Sequence, residues 1–413
     1  MPRFLAAFFL TPALALTLRA ADWPQFLGPN RDNTSPAVVE PWKEDLKPLW
    51  KQPVGDAHSS PVVADGIVYA FYQPKGKNAD ALAAFDAKTG TLKWEKSYDR
   101  PEYKPPFGNG PRSTPAVSGG KVFTYSGPGI LACWDTKTGA IDWKVEPLKE
   151  FKTGNPFFGT STSPIVIGDK VIVMVGGKGS GVVAFDTKTG KPVWQALDDP
   201  ASYSSPVWSH DQLVFLTGAN LVGLSDKGEK LWSVPFEGRV GKGAFSIIES
   251  SATPILAGDV VIGSTVTSGS IGLKLAEKDG KFTAKEEWRN KALTCYFSTP
   301  VVVGDRVYMV KGSTTKGQTV LTCIDPKTGK VAWDKPTQGE FHTALLRCGP
   351  AGKERLLMLD DAGELTLFEP DAKEFKPLAK SKVCGKTWAH PALADGRLYL
   401  RDEKELICVE LKK

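Results

Sequence analysis

The strongest constraint on the fold is a ten-residue motif that recurs along the chain. It reads FDAKTGTLKW from Phe85, WDTKTGAIDW from Trp134 and FDTKTGKPVW from Phe185, and looser copies end at Trp232, Trp288 and Trp333. In each copy an apolar run ends at Asp, Lys and Thr cross a bend, Gly supplies a left-handed conformation, and a second run ends on Trp. Each copy therefore predicts two antiparallel strands joined by a tight turn.

A second recurring piece precedes each copy of the motif. It begins with a Ser/Thr-Pro pair and continues with two β runs separated by a Gly/Asp turn, as in SSPVVADGIVYAFY (59–72) and STPAVSGGKVFTYS (113–126). The repeating unit is thus four strands, and its Trp recurs about every 47 residues, a period typical of propeller blades rather than of helical solenoids. Because one four-stranded sheet cannot bury both faces alone, the units must stack around an axis.

The blade count depends on the two ends of the chain. Residues 341–378 keep the strand rhythm without the TG turn or the Trp, and we interpret them as a seventh blade. Residues 390–411 supply three strands, and Leu49 and Trp50 the fourth. The sequence predicts an all-β, eight-bladed β-propeller of four-stranded antiparallel blades, spanning 46–413 after a lead-in at 22–45. Pairing the N-terminal strand with the C-terminal blade closes the ring and removes its open edge.

The first 21 residues are predicted to be a signal peptide. They combine Arg3, an apolar run and small residues at Ala20 and Ala21, where cleavage is expected. The alternative is a membrane anchor, but the run is short for a span and contains Pro12. We therefore expect a periplasmic or secreted protein with no integral membrane segment after cleavage. The formal net charge of +6, with lysines scattered through turns, does not indicate a nucleic-acid partner.

The A-x-D-x-x-T-G-x-x-x-W motif resembles the repeat of the pyrroloquinoline quinone (PQQ)-like, quinoprotein alcohol dehydrogenase-like propellers. The lead-in DWPQFLGPNRDNTSP (22–36) resembles the segment before the first blade of that family. The resemblance implies the fold but leaves function open, because its members include quinone-dependent dehydrogenases, an outer-membrane assembly scaffold and secreted propellers without known activity. It also implies that the repeat tryptophans dock one blade on the next; they are Trp50, Trp94, Trp143, Trp194, Trp232, Trp288 and Trp333.

The enzymes of this family hold their quinone under two adjacent cysteines and beside a calcium ion bound by carboxylates and an Asn. No two cysteines are adjacent in this chain. The longest loops, 98–112 and 145–160, contain Glu102, Asn109, Glu146 and Asn155, which are either calcium ligands or ordinary loop residues. We predict no metal and no cofactor. If the alternative hypothesis of an enzyme holds, the expected cofactor is PQQ with calcium.

The six cysteines divide into two groups. Cys133, Cys323 and Cys408 stand where other blades have small strand residues, so they are predicted to be buried fillers. Cys295, Cys348 and Cys384 lie near the start of successive blades. In an exported protein two of these could form a disulfide, and the preferred pair is Cys348 and Cys384.

The candidate site comes from the residues around the Ser/Thr-Pro pairs. These pairs begin the same strand in every blade, so the residues just before them should converge near one mouth of the central channel. The candidate ligand-binding residues are His58, Arg112, Tyr203, Glu249, Tyr296, His342, Trp388 and His390, and Thr160 is expected to complete the ring. Such a set could hold a polar ligand by hydrogen bonds and stacking, or it could plug the channel and bind water.

The sequence thus favours an exported, monomeric binding or scaffold module without catalysis of its own. Its predicted partner is an envelope or extracellular protein or a small polar ligand. No Ser-His-Asp order, paired-carboxylate motif or phosphate loop can be assigned, so no catalytic residue is predicted. The alternative is a PQQ-dependent or other small-molecule oxidoreductase that uses the central-channel face.

Overall fold

The computed structural model describes residues 22–241, 246–314 and 317–411. The predicted signal peptide, residues 1–21, lies outside the described residues. Two strands precede the first blade, β1 (Thr34–Ser35) and β2 (Pro48–Pro53). In the part of the chain that the structure describes, no helix is long and apolar enough to cross a membrane.

The blades follow one another in chain order. Blade 1 contains β3 (Val62–Ala64), β4 (Ile67–Tyr72), β5 (Ala79–Asp86) and β6 (Leu92–Asp99). Blade 2 contains β7 (Ala116–Ser118), β8 (Lys121–Tyr125), β9 (Leu131–Asp135) and β10 (Ile141–Val145). A short helix α1 (Pro147–Glu150) leads to blade 3, which contains β11 (Ile165–Ile167), β12 (Lys170–Met174), β13 (Val182–Asp186) and β14 (Pro192–Ala196). Blade 4 contains β15 (Val207–Ser209), β16 (Gln212–Leu216), β17 (Asn220–Leu224) and β18 (Lys230–Pro235).

A small ladder of β19 (Arg239–Val240) and β20 (Ile247–Ile248) separates blades 4 and 5. Blade 5 contains β21 (Ile255–Ala257), β22 (Val260–Thr265), β23 (Gly269–Lys278) and β24 (Lys281–Asn290). Blade 6 contains β25 (Val301–Val303), β26 (Arg306–Lys311), β27 (Val320–Ile324) and β28 (Val331–Pro336). Blade 7 contains β29 (Thr343–Cys348), β30 (Arg355–Asp360), β31 (Glu364–Glu369) and β32 (Lys376–Lys382). Blade 8 contains β33 (Ala392–Ala394), β34 (Arg397–Arg401) and β35 (Glu405–Glu410).

The two ends of the chain meet in blade 8, whose fourth strand is β2. Strands β2 and β35 pair antiparallel, with Trp50 opposite Cys408. The predicted eight-bladed propeller and the closure of its ring are therefore confirmed. Residues 341–378 do form blade 7, although they lack both the TG turn and the Trp.

The repeat tryptophans connect each blade to the turn of the next. Trp94 Nε1, for example, donates to Thr136 O at 3.0 Å, and Trp50 Nε1 of blade 8 donates across the closure to Ala87 O of blade 1 at 3.1 Å. The corresponding donors and acceptors are Trp143 and Thr187, Trp194 and Asp226, Trp288 and Pro326, and Trp333 and Asp371.

Trp232 departs from this expectation. Its Nε1 donates to Gln212 Oε1 within its own blade, at 2.6 Å. The expected partner of Trp232 is the turn of the long hairpin in blade 5. No indole reaches that turn, because a Cβ built on its glycine, Gly280, would have no neighbour within 4 Å. The indole still belongs to the buried apolar cluster that includes Val261 and Ile271 of blade 5, so it contributes to the contact between the blades without bonding the turn.

A chain of hydrogen bonds connects the starts of neighbouring blades. The hydroxyl residue before each Pro accepts a bond from the backbone N–H of the equivalent residue in the preceding blade, and we call this set the hydroxyl belt. Its bonds run from Ser60 to Thr114 (3.1 Å), Thr114 to Ser163 (2.9 Å), Ser163 to Ser205 (2.9 Å), Ser205 to Thr253 (3.4 Å) and Thr253 to Thr299 (3.2 Å). The Ser or Thr of the recurring pair therefore stabilises the ring across six blades.

The lead-in crosses the central channel instead of lying on the outer surface. Trp23 forms a bridge with Val63 of blade 1, and β1 pairs parallel with β29 of blade 7. The side chain of Arg31 is buried, and its guanidinium donates to Pro206 O at 2.6 Å and to Pro164 O at 2.9 Å. Burial lowers the pKa of Arg31 to about 9. The segment thus joins blades on opposite sides of the ring and fills the channel.

The six cysteines are all buried and free. The disulfide considered for Cys348 and Cys384 is therefore not formed. Cys348 Sγ instead lies 3.4 Å from Arg355 O, within the apolar cluster that contains both cysteines.

Candidate functional site

A cavity of about 130 Å³ lies at one mouth of the channel. We call it the channel-mouth cavity. All eight blades contribute to its wall, and Phe26 of the lead-in contributes from within the channel. Every candidate ligand-binding residue lines it: His58, Arg112, Tyr203, Glu249, Tyr296, His342, Trp388 and His390. Thr160 does not, because its hydroxyl donates to Ser126 O and its neighbour Ser161 lines the cavity instead.

The lining follows a simple register. Both the belt residue and the second residue before it face the cavity, because alternate residues of an extended chain lie on the same side. The belt residues in the lining are Ser60, Thr114, Ser163 and Ser205. The residues two places before the belt that line the cavity are His58, Arg112, Ser161, Tyr203, Ser251, Phe297 and Trp388. Sequence reasoning missed Ser161, Ser251 and Phe297, and this alternation would have found them. It also missed Phe26, Phe107 and Phe158, which come from the lead-in and the loops and have no such signal.

Aromatic rings form much of the wall. Trp388 is stacked with His58 at 5.2 Å and with Phe297 at 5.6 Å between ring centroids, and Phe107 lies 5.6 Å from it at a tilt. On another side, Phe158 meets Tyr203 edge-on at 5.5 Å, and the Phe158 N–H donates to the Tyr203 hydroxyl at 3.2 Å. The cavity therefore offers flat apolar surfaces with polar groups between them.

The loop that carries Phe107 is held by residues of the wall and by a buried ion pair. His58 Nε2 donates to Phe107 O at 2.7 Å, and Arg112 donates through Nη2 to Pro106 O at 2.6 Å. At the base of the loop, Arg100 Nε contacts Asp80 Oδ1 at 2.9 Å with both side chains inaccessible to solvent. The position of the loop over the cavity is thus fixed by its own hydrogen bonds.

Several polar atoms of the wall are buried without a hydrogen-bond partner. Within the described residues these include Arg112 Nη1, Trp388 Nε1 and both ring nitrogens of His342. Leaving a buried polar group unpaired costs about 1–3 kcal/mol. Such groups in a cavity wall indicate a place where water or a ligand completes the hydrogen bonding.

Burial also fixes the charge of the titratable groups. It lowers the pKa of His58 to about 4, with a further contribution from the Arg112 cation, and the pKa of His342 to about 3. Burial likewise lowers the pKa of His390 well below its usual value. These imidazoles are neutral at pH 7. Burial raises the pKa of Glu249, and a Tyr296 hydrogen bond opposes that effect.

The four loop residues considered as calcium ligands each have another partner. Glu102 pairs with Lys104 and Glu146 with Lys149, while Asn155 Nδ2 donates to Gly127 O at 3.0 Å. The backbone carbonyl of Asn109 accepts a hydrogen bond from Arg100 Nη2 at 2.8 Å. Among the described residues no group of three or more His, Cys, Asp or Glu side chains could hold a metal ion.

The fold and the cavity define an eight-bladed propeller with a ligand-sized site at its channel mouth. A family model described as outer membrane protein assembly factor BamB matches residues 33–111, 80–335 and 263–371. The match spans most of the chain, and the chain belongs to this family of PQQ-like propellers.

The similar proteins include both enzymes and an assembly factor. Methanol dehydrogenase [cytochrome c] subunit 1 of Methylorubrum extorquens is 29% identical over 175 residues, which are 37% of this chain and 26% of that protein. Quinoprotein ethanol dehydrogenase of Pseudomonas aeruginosa is 27% identical over 36% of this chain and 25% of its own length. The match therefore spans about a quarter of these relatives. BamB from Moraxella catarrhalis superposes with a TM-score of 0.61 at 14% identity, covering 89% of this chain and 98% of that one, which shows a common fold.

The channel-mouth cavity does not fit a quinone with a divalent cation. Such a cation needs several oxygen ligands, and Glu249 is the single carboxylate residue in the described lining. Trp388, the indole of the lining, already stacks with His58 and Phe297. The wall is better suited to a ligand that is held by hydrogen bonds and apolar contact alone.

Proposed function

We propose that this protein is an exported binding module without catalysis of its own, and that the channel-mouth cavity holds a small polar ligand. The observation that carries the proposal is the convergence of residues from all eight blades on one cavity whose wall contains unpaired donors. A cavity with flat apolar walls and a few convergent polar groups is the usual form of a small-molecule site.

The position of the lead-in in the channel supports a role in binding a ligand rather than in letting a ligand pass through the channel. Phe26 lines the cavity and meets His390 edge-on at 5.3 Å, while Arg31 is anchored to the carbonyls of blades 3 and 4. A channel filled in this way holds a ligand at the mouth but does not let it pass through. The predicted signal peptide and the BamB-like relatives support a periplasmic or extracellular location, and the mass of the purified exported protein tests the expected cleavage near Ala21.

The test is to fill the cavity. Ser251→Phe places a large side chain in the cavity wall, and Ser118→Phe makes the same change at the exposed end of β7. We expect at least one member of a panel of sugars, sugar acids, amino acids and aromatic acids to raise the melting temperature of the unmodified protein and of Ser118→Phe, but not that of Ser251→Phe. A panel that leaves the unmodified protein unchanged, or a ligand that still stabilises Ser251→Phe, would refute the proposal.

A protein partner is a second candidate, because two phenylalanines near the mouth are exposed. Phe107 is 61% and Phe157 55% accessible, and Phe158 lies between them with ring centroids 6.1 Å and 4.8 Å away. Exposed aromatic residues of this kind are common at protein interfaces. Capture from an envelope extract by the unmodified protein, lost in Phe107→Ser with Phe157→Ser, supports this candidate.

The oxidoreductase alternative rests on the curated relatives, which are by name a methanol dehydrogenase subunit and a quinoprotein ethanol dehydrogenase. It requires a quinone site that the cavity lining does not offer, and the assay that decides it is described in the Discussion.

A further inference from the structure

We propose that the ligand of the channel-mouth cavity is a small polyhydroxy carboxylate, such as a uronic acid, with its carboxylate toward Arg112 and its hydroxyls toward Glu249. This inference rests on the proposed function and names its ligand class.

The order of the blades separates the polar groups of the wall. Inner strand β3 of blade 1 contacts the inner strands of blades 2 and 8, so these three blades form one side of the cavity. In a ring of eight, blade 5 stands opposite blade 1. Arg112 and Trp388 belong to blades 2 and 8, whereas Glu249 precedes the first strand of blade 5. The cavity therefore has a side with donors and a side with a carboxyl group.

The first side requires acceptors from a ligand. Arginine and the indole N–H can only donate, and both Arg112 Nη1 and Trp388 Nε1 lack a partner within the described residues. Lys386 adds a positive charge at the rim, with Nζ 5.7 Å from the Trp388 ring centroid. A carboxylate supplies acceptor oxygens and an opposite charge, and charge-assisted hydrogen bonds are stronger than neutral ones.

The opposite side suits hydroxyl groups. Glu249 accepts hydrogen bonds in either ionisation state, and Tyr203 and Tyr296 flank it in the lining with hydroxyls that both donate and accept. The neutral imidazole of His342 in blade 7 offers one donor and one acceptor nitrogen. Hydroxyls are the ligand groups that can satisfy such mixed partners. A second carboxylate here would meet the Glu249 carboxyl group instead.

The shape of the wall agrees with a saturated ring. The rings of Phe26 and Phe158 line the cavity and present apolar surface. The C–H faces of a sugar ring pack on such surfaces while its hydroxyls point outward to the polar groups. A small carboxylate without hydroxyls would leave the blade 5 side unpaired, and a neutral sugar would leave Arg112 without a charged partner.

The first experiment compares glucuronate with glucuronamide and with glucose on the full mature protein, by calorimetry and by tryptophan fluorescence. Glucuronamide keeps the hydroxyls and the shape but has no charge. We expect glucuronate to bind at least tenfold more tightly than either neutral compound, and acetate not to bind in the millimolar range. Equal affinities for glucuronate and its amide would overturn the inference while leaving the proposed function standing.

The second experiment changes the protein. Arg112→Gln should lower the affinity for glucuronate at least tenfold with little effect on glucose, Arg112→Lys should keep part of the preference for the acid, and the matched control Arg289→Gln on the outer strand of blade 5 should change neither. Because Arg112 also holds the loop at Pro106, each variant is checked for an unchanged melting temperature. A folded Arg112→Gln variant with undiminished glucuronate binding, or an unmodified protein that does not bind glucuronate, would contradict the inference. The proposed function itself fails only if no member of the wider ligand panel stabilises the unmodified protein.

Discussion

Replacing Gly190 by Ala tests how the blades are joined. Gly190 lies in the turn of blade 3 at φ +69°, a conformation that L-residues with a side chain rarely adopt. A Cβ built at this position would lie 2.7 Å from Cε3 and 2.8 Å from Cδ2 of Trp143 in blade 2. Glycine is therefore required at position 190 for two reasons: its backbone is left-handed, and the indole of Trp143 leaves no room for a side chain.

The magnitude follows from these two effects. The left-handed conformation costs an L-residue about 1–2 kcal/mol. Forcing a methyl group into a packed contact costs a further ~1–3 kcal/mol. Gly190→Ala should thus lower the free energy of unfolding by about 2–5 kcal/mol.

Gly280→Ala is the matched control. Gly280 has nearly the same backbone, φ +73°, but a Cβ there would have no neighbour within 4 Å. Its substitution should cost only the conformational part, about 1–2 kcal/mol. Urea denaturation, followed by circular dichroism, gives both midpoints, and equal losses for the two variants would refute the role assigned to the indole.

Trp143→Ala completes a double-mutant cycle. The indole is half-buried and donates to Thr187 O at 3.0 Å, so its loss should cost about 3 kcal/mol. Once the indole is gone, Gly190→Ala meets no ring and should cost no more than Gly280→Ala does. Additive losses in the double variant would show that the two residues do not act on each other.

Three further predictions concern the ring closure, the chemistry and the pH dependence. Removal of residues 400–413 deletes β35 and should leave β2 unpaired and the protein aggregating, and a soluble product with an unchanged melting temperature would contradict the closure. The purified mature protein, mixed with PQQ and calcium, should show no dye-linked oxidation of simple alcohols or glucose above a heat-killed control; turnover that needs the quinone and stops with chelator would favour the oxidoreductase. Because His342 has a pKa of about 3 in the folded protein against an ordinary 6.5, the unfolded chain takes up a proton first as the pH falls, so stability should decrease below about pH 6.5. His342→Gln should reduce that decrease between pH 6.5 and 4 in thermal melts, and an unchanged pH profile would show that His342 is not responsible.

The architecture could be predicted because each blade contains the same short sequence motifs. The TG turn, the Trp and the Ser/Thr-Pro pair recur often enough that the blade count and the closing strand follow from their order. The structure also gives the Ser or Thr a role that repetition alone did not reveal, since the hydroxyl of Thr114 accepts the backbone N–H of Ser60 in the preceding blade. The two irregular copies of the motif, which end at Trp232 and Trp288, mark the place where the pattern fails. The long hairpin of blade 5 leaves Trp232 without its expected partner.

The site could be predicted only in part, for two physical reasons. The region was identifiable because equivalent strand starts must converge on the axis of a ring. The exact lining depends on a one-residue register, which is why Ser161 and not Thr160 faces the cavity. The remaining residues come from segments whose position is set by tertiary contacts. An arginine such as Arg31 reads as a surface residue, and its burial depends on backbone carbonyls that blades 3 and 4 bring together only in the folded ring.

At the start of a blade, two residues on the same side of the extended chain line the cavity, and only one of them also joins the blades. The belt residue accepts the hydrogen bond between blades, whereas the residue two places before it lines the cavity without taking part in that bond. Arg112 and Thr114 illustrate this division, as do Tyr203 and Ser205. Substitutions two places before the belt can therefore change recognition one blade at a time without removing a belt hydrogen bond. A change at a belt residue such as Thr114, which lines the cavity and accepts the backbone N–H of Ser60, would alter the cavity and the contact between blades at once.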